Sequence, residues 1–183
     1  MERINNKLLI LDLDETLIYA TEDALEREPD FRAGPYSVYR RPYLEEFLAY
    51  CFANIEVGIW TTSTEAYAEA IAQDIIDPEH RLSFLWSRDR CTWIFDEDLY
   101  ERIQIKKLAK LRRRGYRPES IIVVDDSAAV WKQSYGNLIT VNRYEGRLDD
   151  DDLKVLPHYL EMIKSSANVR AMDKRSWRSR VKA

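Results

Sequence analysis

The chain has 183 residues, 45% of them apolar and 33% charged, a balance that suits one globular domain with a real core. Its formal net charge is −4, yet six basic residues gather between Arg170 and Lys182 beside one acid, Asp173, so the body is acidic and a broad nucleic-acid groove is not expected. The longest apolar runs fall far short of a membrane span, nothing at the N-terminus reads as a signal peptide, and Cys51, Cys91, His80 and His158 lack zinc-ligand spacing. A soluble protein of the reducing cytoplasm, with the nucleus as the other choice, is expected.

Leu8–Leu11 is wholly apolar and reads as a strand buried on both faces. It runs into Asp12-Leu13-Asp14, and strand alternation would point both carboxylates the same way. Thr21–Pro35 shows no period and reads as a loop or flap, followed by a short strand at Tyr36–Tyr39. Pro42 suits a first helical turn, and Leu44, Phe47, Leu48 and Cys51 give that helix an apolar stripe. Ile55–Trp60 is a second buried strand, ending in Thr61-Thr62-Ser63. A helix with Tyr67, Ala70, Ile71 and Ile75 follows, up to Asp77-Pro78.

Leu82, Phe84 and Trp86 alternate as a strand would, and Cys91–Phe95 reads as a second strand before a turn at Asp96-Glu97-Asp98. A hairpin inserted beside the sheet over about 82–104 is expected. Ile105, Leu108 and Leu111 predict a helix with a basic face of Lys106, Lys107, Lys110 and Arg112–Arg114, ended by Gly115. Ile121–Val124 is a third buried strand, entirely β-branched, leading into Asp125-Asp126-Ser127. A fourth, shorter strand is expected at Leu138–Val141. The acids of Asp149–Asp152 suit the start of a helix carrying Leu153, Leu156, Leu160 and Ile163, which Pro157 should break or kink. One domain over 1–165 and a solvated basic tail over 166–183 complete the reading.

Strand, helix, strand, helix implies an α/β fold: a parallel sheet with helices on both faces. Three buried strands then end in polar groups at one sheet edge, where such folds bind ligands: Asp12 and Asp14, Thr61, and Asp125 and Asp126. Phosphoryl transfer needs a nucleophile, a proton donor for the leaving oxygen and positive charge on the phosphoryl oxygens. Carboxylates gathered in this number call for a hard divalent cation, for which oxygen ligands are the right type.

Asp12-Leu13-Asp14-Glu15-Thr16-Leu17 resembles the first motif of the haloacid-dehalogenase superfamily phosphatases. Glu15, where many small-molecule members carry Gly, is similar to the branch acting on phosphoserines of the RNA polymerase II tail, with its nuclear-envelope and bacterial relatives. Arg41-Pro42 with Glu46-Phe47-Leu48, and Asp77-Pro78, follow that branch too. The resemblance implies a three-layer Rossmann-like domain without a large cap. It also implies Asp12 as the nucleophile forming an aspartyl-phosphate, and Asp14 as the general acid/base with its backbone carbonyl on Mg²⁺. Thr61 and Thr62, in the second motif, and Lys106, the third-motif lysine, would bind phosphate. Asp12, Asp14, Asp125 and Asp126 would form the Mg²⁺ site. Arg88 and Tyr67 match substrate contacts, whereas Thr64 and Glu22 replace the apolar character of that branch's proline pocket. A phosphatase of phosphoserine or phosphothreonine in proteins is therefore expected. The alternatives are a phosphatase of small metabolites or nucleic-acid ends, and a non-catalytic phospho-binding module. No membrane partner is expected, nor a nucleic-acid one.

Overall fold

The computed structural model describes residues 7–97 and 100–181. Its elements begin with β1 (Leu8–Leu11), β2 (Ile18–Thr21), β3 (Phe31–Ala33) and β4 (Tyr36–Arg40), then α1 (Leu44–Asn54), β5 (Glu56–Trp60) and α2 (Glu65–Ile75). There follow β6 (Leu85–Trp86), β7 (Thr92–Asp96), β8 (Glu101–Ile105) and α3 (Ala109–Arg112). The last elements are β9 (Ile121–Asp125), β10 (Leu138–Thr140), α4 (Asp152–Lys164) and α5 (Trp177–Val181).

Five strands form one parallel sheet in the order β10-β9-β1-β5-β6. Because side chains alternate along a strand, the two faces are fed by alternate residues. Leu9, Leu11, Val57, Ile59, Ile122 and Val124 enter the core beneath α1, α2 and α4. Leu8, Ile10, Ile121 and Val123 enter the opposite core with Leu108, Leu111 and three tryptophans. Trp60 sits edge-on to Trp86 and Trp131 at ring separations of 4.8 and 5.6 Å. Gly58 is required here, since a Cβ would fall 2.5 Å from the Phe84 ring.

Several expectations change. The expected flap, Thr21–Pro35, holds the strand β3, and β2 runs into its start; both join β4 in a three-stranded antiparallel sheet of order β2-β4-β3. The first expected hairpin strand, β6, instead joins the parallel sheet beside β5. The hairpin proper is β7 with β8, and of its expected turn Asp98 lies outside the described residues. The helix expected from Ile105 is largely strand and turn, with Ile105 closing β8 and α3 only four residues long. Helix α4 runs on through Pro157.

The acids at 149–152 lead into α4 as expected, with Asp151 at its N-cap position, and Asp150 and Asp152 are also partners of a buried cation. Arg41, 1% exposed, donates to both carboxylate oxygens of Asp150, to Asp152 Oδ2, and to the carbonyls of Thr16 and Asn142. Arg178 reaches Asp151 and Asp152 from α5. The expected solvated tail is accordingly packed. Val169, Lys174 and Trp177 are buried, Trp177 Nε1 donates to Thr140 O at 2.9 Å, and Lys174 Nζ donates to the carbonyls of Gly136, Val169 and Met172. Of the basic residues there, Lys182 lies outside the described residues.

Candidate active site

Register decides where the polar groups meet. Leu11 pairs with Ile59 on one side and Val124 on the other, so the next residues of β1, β5 and β9 come level at the carboxyl edge. Asp12 N still donates to Val124 O at 3.1 Å, holding the strand line one residue further. The chain then turns sharply. Leu17 N and Ile18 N both return to Leu13 O, and Glu15 takes φ 56°, a left-handed conformation that favours glycine.

This turn sends the two carboxylates apart rather than to one partner. Lys106 Nζ donates to Asp12 Oδ1 at 2.6 Å and to Asp125 Oδ2 at 2.7 Å, with all three groups buried. Asp14 faces the β5 side, where Ser63 Oγ donates to Oδ2 at 2.7 Å and the Tyr67 hydroxyl to Oδ1 at 2.5 Å. Tyr67, expected against substrate, is thus first a partner of Asp14. Two further supports escaped the sequence reading. Trp131 Nε1 donates to Asp125 Oδ2 at 2.7 Å. Thr16 Oγ1 accepts from Asp126 N at 3.1 Å and donates to Asp126 Oδ1 at 3.3 Å, tying the first acidic turn to the last. The place of Thr16 within the first motif hinted at its role, whereas Trp131 lies six residues past Asp125 and carried no such signal.

Thr61 is buried, and its hydroxyl oxygen accepts from Ser63 N at 3.0 Å, leaving its hydrogen to donate. Thr62, half-buried, makes no side-chain hydrogen bond among the described residues. Arg88 has an exposed side chain, and its backbone N–H bonds Ser63 O at 2.9 Å, so it lies at the rim.

The electrostatics leave the cluster short of positive charge. Burial, then the neighbouring Asp125 charge, pushes the Asp12 carboxyl up against the pull of Lys106. Burial and Asp125 likewise raise Asp126. Burial alone would lower Lys106, but the Asp12 and Asp125 charges outweigh it and the ammonium is held above its ordinary range. One oxygen each from Asp12, Asp125 and Asp126 lies within 4.8 Å of the others. A Mg²⁺ ion with bonds of about 2.1 Å holds its oxygens within about 4.2 Å of one another, so this donor set fits with small side-chain adjustments. The Asp14 carboxylate is not in that group.

The model of the NLI interacting factor-like phosphatases matches residues 7–170. The chain belongs to this family. CTD small phosphatase-like protein 2 of Dictyostelium discoideum is 29% identical across 88% of this chain and 28% of its own length. CTD nuclear envelope phosphatase 1B of Danio rerio is 27% identical across 95% of this chain and 75% of its own. Among solved structures, Fcp1, an essential RNA polymerase II CTD phosphatase, superposes with a TM-score of 0.59 at 26% identity, covering 80% of this chain and 44% of that one. The chain thus spans less than half the length of two of these relatives. Its fold is that of the haloacid-dehalogenase superfamily, in the branch of the CTD phosphatases, and no described helix is long and apolar enough to cross a membrane.

Proposed function

We propose that the chain hydrolyses phosphomonoesters of serine or threonine in proteins by two successive displacements through Asp12. The observation that carries this is the separation of the two first-motif acids, Asp12 held against an ammonium and Asp14 held by two neutral hydroxyls. A nucleophile and a proton carrier need such different surroundings. In the first step an Asp12 oxygen bonds to phosphorus while the phosphorus–oxygen bond to the substrate breaks, and protonated Asp14 gives its proton to the leaving oxygen. In the second, Asp14 takes a proton from water as that water attacks the aspartyl-phosphate, releasing phosphate and restoring Asp12.

Lys106 orients Asp12 and places positive charge beside the phosphoryl oxygens, and the Thr61 hydroxyl, backed by the Ser63 N–H, donates to one of them. Thr62 lines the same turn, while Arg88 and Tyr67 stand at the substrate side. Asp12, Asp125 and Asp126, with the Asp14 carbonyl, would hold Mg²⁺, which when bound supplies the missing positive charge to the transferring group.

A protein substrate is favoured because the segments joining the main strands fold into two small sheets, and no separate cap domain stands among the described residues. An open edge admits a peptide. The deciding experiment compares phosphate release from phosphoserine and phosphothreonine peptides with release from sugar, nucleotide and nucleic-acid-end phosphates. Higher kcat/KM for the peptides supports the reading, and the reverse order moves the substrate to the small phosphates.

A further inference from the structure

Along the edge strand β6 runs a cleft of about 1120 Å³ that the reaction above does not use. Five cations line it: Arg90, Lys107, Lys110, Arg113 and Arg114. None makes an ion pair with a carboxylate among the described residues. By contrast the buried Arg41 is paired with Asp150 and Asp152, the buried Lys106 with Asp12 and Asp125, and the exposed Lys132 with Asp96. A chain of net charge −4 therefore keeps a concentration of uncompensated positive charge in one groove.

The groove is built. Arg114 lies 5.4 and 5.8 Å from the Phe84 and Trp86 ring centres and reaches Ser83 O, and Arg90 lies 5.6 Å from the Trp86 ring. Lys110 Nζ donates to Arg90 O at 2.6 Å, pinning the two walls together. It also meets the site at two places. Lys107 follows Lys106 directly, and Ser87 precedes Arg88, whose N–H bonds Ser63 O. A peptide whose phosphoresidue occupies the site therefore has its flanking residues within reach of the cations.

We propose that this groove binds an acidic segment of the phosphoprotein substrate, glutamates, aspartates or further phosphates lying to one side of the residue being dephosphorylated. The proposal rests on the phosphatase reading and adds a substrate class to it. Peptide fits better than nucleic acid for two reasons. Phe84 and Trp86 are buried and covered by Arg114 and Arg90, leaving no ring face for a base to stack on. Glu65 and Asp89 also line the groove, and with the acidic body they repel a long continuous polyanion more than a short acidic stretch.

The test uses the full chain and three phosphoserine peptides of equal length, flanked by glutamates, glutamines or lysines. The glutamate-flanked peptide is expected to show kcat/KM about tenfold above the glutamine-flanked one at low salt, with the gap closing at high salt as the charges are screened. The double variant Arg90→Glu/Arg113→Glu should lose or invert that preference while hydrolysing an aryl phosphate at the unaltered rate. Equal kcat/KM for all three peptides, or a preference that survives the double variant, overturns the proposal. Should that variant fail to fold, Arg113→Gln, with an exposed side chain, is expected to reduce the preference alone. If the unaltered chain does not turn over the aryl phosphate, the phosphatase reading fails, and fluorescence anisotropy of the unphosphorylated glutamate peptide still decides the groove. Single-stranded RNA displacing that peptide, and losing affinity in the same variants, would assign the groove to nucleic acid instead.

Discussion

Lys106 Nζ lies 2.6 Å from Asp12 Oδ1 across 94 residues of sequence, and its neighbour Lys107 points into a different cleft. One step along the chain therefore separates the lysine proposed to bind phosphate from one that lines the groove. Lys106→Ala should lower kcat/KM for an aryl phosphate by about 3 kcal/mol of transition-state stabilisation or more, as for other electrostatic groups in closed sites. Lys107→Ala should leave it close to unchanged. Steady-state kinetics of the two variants checks the assignment, and equal losses would remove Lys106 from its role.

Asp12→Asn should abolish turnover and trap no acyl-phosphate, because an amide does not attack phosphorus. The carboxamide keeps the side chain's shape, so thermal unfolding should show a folded protein. Normal turnover would place the nucleophile elsewhere.

Asp14→Asn should lower kcat/KM far more for a phosphoserine peptide than for an aryl phosphate, since a serine alkoxide needs a proton and a phenolate scarcely does. The contact with Tyr67 adds a second arm. Tyr67→Phe removes the donor to Asp14 Oδ1 and should cost about 1.5 kcal/mol on the peptide, with a smaller loss on the aryl ester. If both substrates lose equally in Asp14→Asn, that acid serves the metal or the fold.

Mg²⁺ should be required for hydrolysis and EDTA should abolish it. Binding is also expected to raise the melting temperature, by about 2.7 kcal/mol of stability at one hundred times Kd. Asp126→Asn should weaken both effects and need more Mg²⁺ for either. A melting curve indifferent to Mg²⁺ would count against the three-carboxylate site.

How much of this was legible follows from how local each signal is. The strands β1, β5 and β9 are short, mostly apolar runs that lead into Asp12, Thr61 and Asp125, and the sequence shows both features directly. The segment Ile105–Leu111 misled in part because an i, i+3, i+6 spacing looks the same when its first residue closes a strand and the helix begins only at Ala109. The acids of Asp149–Asp152 do open α4, but the second role of Asp150 and Asp152 was hidden, because their partner Arg41 lies 109 residues from Asp150 and no local pattern announces it. Val169, Lys174 and Trp177 are buried at irregular spacing within a basic run, so composition hid a packed element. Within the site the acids were readable, but Ser63 and Tyr67 on Asp14, Trp131 on Asp125 and Thr16 on Asp126 depend on tertiary contact.

Arg41 holds Thr16 O, whose side chain holds Asp126, and is itself neutralised by Asp150 and Asp152. During synthesis this cation emerges long before its counter-ions do. Until residues 150–152 leave the ribosome, Arg41 is a charge that folding would have to bury unpaired, at a cost of several kcal/mol. The acidic turn of the first motif should therefore stay open on the nascent chain and close only once α4 and then α5 have been made. Chains made only as far as residue 149 would expose their cluster of carboxylates without being able to organise it.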